Sequence, residues 1–394
     1  MNPPLIKQAR LNQREALARF NEKAWPGPWR CPERWNWLYR NNPFQARSEK
    51  LPIWCALRDG DILGHSGAMA VPLKIGVATH AAAWGVDTFV LSEARGLSLA
   101  KQLQAANHNA HEIFMSLYMS KAIRHIKKKL GAVDGPVLGL YCHTRRLLAD
   151  RLCAGIRERL RRRLGDKLGS GLYMLLNILC VWSMLAWLLG SGLRRFQSRV
   201  SEKGIFKGFV FKVVEGRFGA EMNELWCRIR ERYDLAVERN SDYMNWKFTD
   251  QPHMNYQRYY VYCEGSLCGL IIFRLGHTPE PPVGVIAEML LWDPSRENCS
   301  ALIHFAQDAL IRQGTCSIYC ATADNYIAGI LSARGYLRVS AEPLVFYSRN
   351  KSLSEGISGC RALLGLGDHD WDQFPNLRQL NLRQICSILR SGHY

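Results

Sequence analysis

The chain has 394 residues and a formal net charge of +18 at neutral pH, with 52 Lys and Arg residues against 34 Asp and Glu residues. An apolar fraction of 47% and a charged fraction of 22% are ordinary for a globular protein and exclude disorder as a global state. The length allows more than one domain, each with its own core. The excess positive charge favours an anionic partner: a nucleic acid, an acidic membrane surface or a phosphorylated substrate.

Thirteen cysteines are present, but none forms a C-x-x-C pair and no Cys/His cluster has the spacing of a zinc site. Their scatter through apolar segments is typical of reduced thiols in a cytosolic compartment. His108 and His111 lie three residues apart without a third ligand nearby, so we expect solvated histidines at a helix end. The sequence therefore predicts no metal. The polar stretch 1–30 lacks the apolar run of a secretory signal.

The chain contains the same layout twice. Both halves carry the pattern W-x-aromatic-x3-P, first at Trp37, Tyr39 and Pro43 and again at Trp246, Phe248 and Pro252. A pair of glycines four residues apart follows each pattern, at Gly60 and Gly64 and at Gly265 and Gly269. Self-similarity over so long a period indicates two related domains. The repeated aromatic residues are expected to anchor the two cores.

In the first half, alternating apolar and β-branched residues predict strands, and an apolar period near 3.6 predicts helices. The predicted elements are a helix over residues 12–23, a hairpin over 51–77, a strand over 81–91, a helix over 94–109, a strand over 113–119 and a helix over 121–130. We expect Ser120 to cap the last helix, which ends at Gly131.

The second half repeats this order. Its predicted elements are a strand over residues 209–214, a helix over 222–233, a hairpin over 259–275, a strand over 285–292, a helix over 300–312, a strand over 316–321 and a helix over 325–333. Hairpins mixed with strand–helix–strand crossovers predict an α/β fold with a mixed sheet, part antiparallel and part parallel.

The predicted organisation is a pair of tandem domains joined by a basic and apolar linker. Its parts are an N-terminal extension over residues 1–30, a first domain over 31–145, the linker over 146–205, a second domain over 206–350 and a C-terminal tail over 351–394. In the tail, the Leu-Gly-Leu-Gly-Asp-His-Asp run at residues 364–370 is interpreted first as a turn and second as a substrate contact.

The linker combines positive charge with an apolar run. Nine Lys or Arg residues stand against two acidic residues between Gly155 and Arg199, and residues 172–189 carry no charge. As a helix this run would be ~27 Å long, about the thickness of a bilayer core. A helix lying in the membrane interface would keep both domains on the cytoplasmic side. We therefore expect association with an anionic membrane surface, and a helix buried between the domains is the alternative.

The turn after the strand 81–91 is suited to a phosphate. The chain there runs Ser-Glu-Ala-Arg-Gly-Leu-Ser-Leu-Ala over residues 92–100 and enters a helix. A strand that turns through small residues into a helix presents unpaired amides and the positive end of the helix dipole, which together suit a pyrophosphate. Gly96, Ser98 and Ala100 supply the small residues. A plain strand–helix connection is the alternative interpretation.

Two motifs resemble the GCN5-related N-acetyltransferase superfamily. The residues Arg95-Gly96-Leu97-Ser98-Leu99-Ala100 resemble its acyl-CoA loop, R/Q-x-x-G-x-G/A, with Ser98 where glycine is usual. The stretch from Asn325 to Tyr336 resembles the superfamily's later helix, and the second half has no corresponding phosphate loop. The plan of two copies with one degenerate half is also similar to that of the Fem-type aminoacyltransferases.

The resemblance implies transfer of an acyl group from coenzyme A to an amine or, less often, a hydroxyl. It implies that acetyl-CoA or another acyl-CoA contacts Val90, Arg95, Gly96, Leu97, Ser98, Leu99 and Ala100. Asp87 is placed where the superfamily often has its base or a water-holding carboxylate, and Tyr118 where an acid would protonate the departing thiolate. A solvated carboxylate at Asp87 and a core or rim tyrosine at Tyr118 are the alternatives.

The acceptor is less constrained by the sequence. The apolar linker and its basic flanks motivate an envelope sugar or a lipid-linked precursor at the cytoplasmic face of the membrane, with a cytoplasmic protein as the alternative. The alternatives are a non-catalytic binding module that keeps the acyl-CoA fold and a cell-wall enzyme similar to those that transfer aminoacyl groups. Nucleic-acid binding is disfavoured, because aromatic residues are not interleaved with the basic residues of the linker.

Overall fold

A computed structural model describes residues 3–24, 32–144, 208–276, 282–315 and 317–373 of the protein. The first half contains β1 (Leu5–Arg10), α1 (Arg14–Ala24), α2 (Pro32–Trp35) with a π-helical turn (Asn36–Arg40), β2 (Lys50–Arg58), β3 (Asp61–Ile75), β4 (Ala78–Val90), α3 (Leu99–Ala110), β5 (Ile113–Ser116), α4 (Lys121–Lys129) and β6 (Val133–Thr144). As predicted, Ser120 caps α4, because its Oγ accepts a hydrogen bond from the Ile123 amide at 3.3 Å.

The second half repeats the order of elements. It contains β7 (Phe209–Val213), α5 (Ala220–Arg230), β8 (Leu235–Val237), α6 (Ser241–Phe248), β9 (Gln257–Cys263), β10 (Ser266–Leu275), β11 (Val283–Leu291), α7 (Arg296–Arg312), β12 (Ser317–Thr322), α8 (Asn325–Ala333) and β13 (Leu337–Ser348). A C-terminal segment follows, with α9 (Lys351–Ser354), β14 (Ala362–Leu363) and short 3-10 turns up to Gln373. The predicted mixed α/β fold is confirmed.

The two hairpins of the repeat turn in the same way. Asp59 and Gly60 join β2 to β3 with φ angles of 50° and 90°, and Glu264 and Gly265 join β9 to β10 with 50° and 79°. Two consecutive residues in the left-handed region are what a tight two-residue hairpin requires, because this turn matches the twist of the strands. The glycine repeat therefore marks matched hairpins.

One sheet runs through both halves. Its strand order among the described residues is β1-β2-β3-β4-β5-β13-β6-β12-β11-β10-β9-β7, with β8 and β14 beside β3. The last strands of the halves are exchanged: β6 pairs with β12 of the second half, and β13 pairs with β5 of the first. β6 and β13 also pair with each other at the centre. The halves therefore share a continuous sheet.

The repeated tryptophans meet between the halves. Trp37 stacks on Trp246 with ring centroids 4.8 Å apart and ring planes 13° from parallel. Each indole N–H donates to the backbone carbonyl of the other tryptophan, at 2.8 Å from Trp37 and 3.3 Å from Trp246. Both side chains are buried, as are Trp35 and Tyr39. The expectation that these aromatic residues anchor the core is confirmed.

The ends of the chain differ from the predicted organisation. Residues assigned to an N-terminal extension form β1 and α1, and β1 pairs with β2. Residues assigned to a tail form the C-terminal segment, whose β14 pairs with β8 and whose Leu364 and Leu366 are buried in the core. Both ends of the described chain therefore contribute buried side chains to the core, which the sequence patterns did not predict. The linker over 146–205 lies outside the described residues.

Candidate functional site

β4 and β5 begin as a pair and then separate. They are parallel neighbours through three matches, ending at Trp84 opposite Met115. β4 continues to Val90, whereas β5 ends at Ser116. Within the described part of the chain, β4 has no strand partner on this side beyond Trp84. This wedge leaves backbone groups on the edge of β4 able to pair with an extended ligand.

Side chains of β5 pack closely against Gly85 at the start of the wedge. A Cβ added to Gly85 would lie 2.8 Å from Ser116 Oγ and 2.9 Å from Phe114 Cζ. A larger residue at this position would therefore have to displace these side chains. Immediately beyond it, β4 carries a bulge, where the register shifts and Asp87 has φ of 51°. A bulge re-aims the side chain of the strand at this point.

The turn from β4 to α3 leaves several amides unpaired. Gly96 and Ser98 have positive φ angles of 97° and 56°, so α3 begins at Leu99 and not at residue 94 as predicted. Among the described residues, the amides of Gly96, Ser98, Leu99, Ala100 and Lys101 donate no hydrogen bond. The Ser98 side chain does not cap the helix. These donors lie at the positive end of a twelve-residue helix.

Ser98 occupies a conformation that normally favours glycine. Its φ of 56° and ψ of 16° are left-handed, which costs about 1 kcal/mol for a residue with a Cβ. The glycine of the family pattern at this position has no such cost. The serine keeps the backbone path of the motif and accepts the strain.

The predicted residues of the turn come together at the end of β4. Val90 is the last residue of the strand, Arg95, Gly96, Leu97 and Ser98 are exposed, and Leu99 is buried beneath them. Leu99 packs in a small cluster with Leu103, which fixes α3 to the sheet. An anion at the start of α3 would therefore lie beside the open edge of β4.

Asp87 is held in a buried ion-pair network. Arg34 donates to both of its oxygens, at 3.0 Å to Oδ2 and 3.3 Å to Oδ1, and the Tyr39 hydroxyl donates to Oδ2 at 2.8 Å. Arg34 also contacts Asp370 Oδ2 at 2.6 Å. Burial alone lowers the pKa of Arg34, but the carboxylates of Asp87 and Asp370 outweigh it and raise that pKa above its ordinary value. The solvated-carboxylate interpretation of Asp87 is therefore wrong.

Tyr118 lies on the other side of the wedge. It follows β5 by two residues, is half-buried, and has φ of 49°. Burial, with a contribution from Glu342, raises the pKa of its hydroxyl above the ordinary value. Tyr118 is therefore protonated at neutral pH, which is the state a proton donor needs.

The C-terminal segment contributes residues that the sequence did not assign to the site. His369 lies against β4: its ring meets Trp84 edge-on at 5.3 Å, and its Nε2 is 3.3 Å from the Gly85 carbonyl. His369 Nδ1 is 2.6 Å from Asp370 Oδ1. The sequence feature that could have indicated these residues is the Gly-Asp-His-Asp run. Its interpretation as a turn agrees with the 3-10 turns that the segment forms. Its carboxylates are buried, which composition alone does not indicate.

An equivalent network exists in the second half. Arg239 is buried and contacts Glu288 at 3.2 Å, on the bulge of β11, and Asp368 at 2.7 Å. Glu288 lies three residues before the end of β11, as Asp87 does before the end of β4. The C-terminal segment therefore ties the two bulges together through Asp370 and Asp368.

The two histidines singled out in the sequence are not solvated. His108 is buried and stacks on Tyr347 at 4.3 Å, and His111 stacks on Phe114 at 5.6 Å. Burial, and secondarily the charge of Lys127, lowers the pKa of His108 to about 3, and burial lowers that of His111 to about 4. Both rings are neutral at physiological pH. Both histidines lie at the C-terminal end of α3, where that end packs against the rest of the protein. The sequence near them does not show this packing.

Two other kinds of site have no candidate among the described residues. No group of three or more His, Cys, Asp or Glu residues there is arranged to hold a metal ion. No helix in those ranges is long and apolar enough to span a membrane. The apolar run 172–189 lies outside them.

Comparison with known proteins gives a fold and no close relative. A scan against protein-family models and a search of curated protein sequences give no match. Among solved structures, the chain is similar to a GCN5-related N-acetyltransferase from Anabaena variabilis, with a TM-score of 0.56 and 10% identity over 90% of this chain and 75% of that chain. It is similar to a GCN5-related N-acetyltransferase from Kribbella flavida, with a TM-score of 0.52 and 9% identity over 90% and 74%.

A third similar structure is N-myristoyltransferase of Saccharomyces cerevisiae with bound myristoyl-CoA. Its TM-score is 0.50 at 9% identity, covering 88% of this chain and 79% of that chain. At such low identities the likeness concerns the fold alone. The protein has the fold of the GCN5-related N-acetyltransferases.

Proposed function

We propose that the protein is an acyl-CoA-dependent N-acyltransferase, which transfers an acyl group other than an aminoacyl group to an amine or hydroxyl. The observation that carries this proposal is the set of amides that donate no hydrogen bond among the described residues, those of Gly96 and of residues 98–101, beside the open edge of β4. A pyrophosphate needs several such donors close together, and an extended pantetheine arm needs a strand edge to pair with. Both features occur side by side.

Each predicted contact residue has a defined part in this proposal. The amides of Gly96, Ser98, Leu99 and Ala100 would donate to the pyrophosphate, and the exposed Arg95 would add positive charge. Val90 ends the strand edge along which the pantetheine would lie. Leu97, which is 40% exposed, would cover the ligand from the side of the turn.

The reaction needs few protein groups. The acceptor nitrogen forms a bond to the thioester carbonyl carbon, the bond from that carbon to sulfur breaks, and the nitrogen loses a proton while the thiolate gains one. We assign proton removal to Asp87, directly or through a water held at its network, and protonation of the thiolate to Tyr118. Because Asp87 already accepts hydrogen bonds from Arg34 and Tyr39, a bound water is the simpler route.

The similar structures support the proposed class of reaction, acyl transfer from acyl-CoA. They include proteins described as N-acetyltransferases and one described with bound myristoyl-CoA. The proposed acceptor is an envelope sugar or a lipid-linked precursor at the cytoplasmic face of the membrane. Its support is the uncharged run 172–189 with basic residues on both sides. The similarity to Fem-type enzymes stays a prediction.

Calorimetric titration with acetyl-CoA tests the donor site. Gly96→Glu places a carboxylate among the amides, so we expect acetyl-CoA affinity to fall at least tenfold. Gly60→Glu is the matched control, because Gly60 has a similar φ of 90°, against 97° for Gly96, and neither has an atom within 4 Å of an added Cβ. Equal affinities of the two variants, or no binding by the wild type, would refute the proposal.

A non-catalytic acyl-CoA-binding module is the second candidate. The observation that favours it is the ion pair of Asp87 with Arg34, which occupies both carboxylate oxygens. Release of free coenzyme A from acetyl-CoA, followed with a thiol reagent, separates the two. Binding without thiol release over a panel of amine acceptors would favour the module.

A further inference from the structure

A polar cavity of about 610 Å³ lies next to the π-helical turn of the first half. Its walls come from Leu11, the stretch from Tyr39 to Ser48, and the start of β2 at Lys50 and Leu51. This volume is typical of small-molecule sites, which are roughly 300–1,000 Å³. The site proposed for acyl-CoA does not include it.

The cavity carries positive charge without a counter-charge. Arg40, Arg47 and Lys50 line it, and no Asp or Glu among the described residues does. Within the described part of the chain, none of these three cations forms an ion pair. Three cations grouped around one concavity repel each other, and that repulsion is relieved when an anion binds between them. The charge pattern thus points to an anionic ligand.

The remaining polar groups suit hydroxyls. The side-chain amides of Asn41 and Gln45 and the hydroxyl of Ser48 line the same cavity. Amides and hydroxyls both donate and accept hydrogen bonds, as sugar hydroxyls do. Carboxylates, which pair well with amines but poorly with phosphates, are missing from the walls. A phosphate-bearing sugar matches both the charges and the neutral polar groups.

The position of the cavity relates it to the reacting centre. Tyr39 forms part of its wall and donates its hydroxyl to Asp87 Oδ2 at 2.8 Å. Tyr39 packs with Leu51 and Trp84 in the main core, whereas α3 packs through Leu99 and Leu103 in a separate cluster. The cavity and α3 are therefore on opposite faces of the sheet. An acceptor on this face would approach the wedge from the side that α3 does not cover.

We propose that this cavity binds the acceptor, and that the acceptor is a phosphorylated sugar, free or as the head group of a lipid. This inference rests on the proposed acyl transfer and adds the chemical class of its second substrate. Arg40, Arg47 and Lys50 bind the phosphate, and the neighbouring amides bind the sugar. Tyr39 then links the occupied cavity to the Asp87 network.

Calorimetry with glucosamine 6-phosphate and glucosamine tests the charge requirement. We expect the wild type to bind the phosphorylated sugar at least tenfold more tightly than glucosamine, and the preference to weaken as salt is added. The double variant Arg47→Glu/Lys50→Glu should lose this binding by at least tenfold and keep its affinity for acetyl-CoA. Lys129→Glu/Lys351→Glu, which makes the same change in net charge at exposed positions elsewhere, should bind like the wild type.

Sedimentation with phosphatidylcholine vesicles, with and without phosphatidylglycerol, distinguishes the two sources of the phosphate. Binding only to anionic vesicles, lost in Arg47→Glu/Lys50→Glu but not in the control, assigns a lipid head group. Binding of the soluble sugar phosphate alone assigns a free one. Failure of both probes, or equal binding by the cavity variant and the control, overturns the inference. Loss of acetyl-CoA binding with sugar-phosphate binding intact would instead refute the donor site.

Discussion

The two halves differ most at the turn between their central strand and the following helix. In the first half, eight residues separate β4 from α3, and in the second, four separate β11 from α7. The shorter turn pairs two of its own amides: Ser295 Oγ accepts from the Asn298 amide at 3.3 Å, and Asp293 Oδ1 accepts from the Ser295 amide at 3.2 Å. A carboxylate already stands where an anion would bind. The same fold position therefore leaves more or fewer amides without a partner among the described residues, depending on turn length and capping.

The wedges of the two halves also differ, because only the wedge of the second half is occupied by a described segment of the chain. The C-terminal segment lies at the wedge between β11 and β12, where the Ala323 amide donates to the Leu364 carbonyl at 3.2 Å. It leaves a cavity of only about 50 Å³, lined by Met289 and Cys320 among others. No described strand takes the matching place at β4. One wedge is thus filled by the C-terminal segment, and the other has no strand beside it among the described residues.

The largest expected effect concerns the two arginines at the bulges. Arg34→Met would remove the arginine that pairs with both buried Asp87 and Asp370, and should lower the free energy of unfolding by about 3–5 kcal/mol. Arg239→Met should do the same through Glu288 and Asp368. Urea unfolding of both variants measures this. A loss below about 1 kcal/mol in either, well short of the cost of a broken buried pair, would show that the two networks are not equivalent.

The next difference between the halves is a buried lysine in the first and a leucine in the second. Lys127 lies four residues before Gly131, and Leu331 lies four residues before Gly335. Lys127 is buried, its Nζ has no hydrogen-bond partner in the described structure, and burial lowers its pKa from 10.5 to about 7. The unfolded chain therefore binds more protons between pH 7 and 10.5, so stability rises with pH across that window.

Lys127→Leu should remove this slope and raise stability at pH 7 by on the order of 2 kcal/mol. Urea unfolding at a series of pH values from 6 to 10 checks both effects. The gain should shrink as the pH approaches 10.5. A difference between wild type and variant that does not change with pH would contradict the assignment.

The helix caps should respond in opposite ways. Ser295→Ala removes the oxygen that accepts from the Asn298 amide, and should cost about 1 kcal/mol of stability. Ser98→Ala removes a hydroxyl that caps nothing, and should change stability by only a few tenths of a kcal/mol. Thermal unfolding of the two variants side by side is the measurement. Equal losses would mean that Ser98 also acts as a cap.

The smallest effect is a gain. Ser98→Gly relieves the left-handed φ of 56° and should stabilise the fold by up to about 0.5–1 kcal/mol, reduced by the added freedom of the unfolded chain. It also restores the residue usual in the acyl-CoA loop, so acetyl-CoA affinity should rise a fewfold. Calorimetry detects the second effect. Weaker binding by Ser98→Gly would indicate that the serine hydroxyl itself contacts the cofactor.

The local signals of this chain were strong. The period of the apolar residues and the turn glycines predicted most of the described strands and helices to within a few residues, with α8 (Asn325–Ala333) predicted at both ends. They did not predict β1, β6, β8, α6 or β13. The W-x-aromatic-x3-P repeat indicated the duplication and its buried tryptophans. The start of α3 was missed, because the positive φ of Ser98 is not expected for a serine. These features depend on interactions within a few residues, which a sequence displays directly.

What the sequence determined by itself is the mixed α/β character, the duplication, and a turn of small residues between β4 and α3. Only the tertiary structure decided which groups surround that turn. The contact of Arg34 with Asp370 joins residues 336 positions apart, and the exchange of β6 with β13 joins the two halves in one sheet. Buried charges find their partners by packing across the whole chain, and no local pattern records which carboxylate will lie beside which cation.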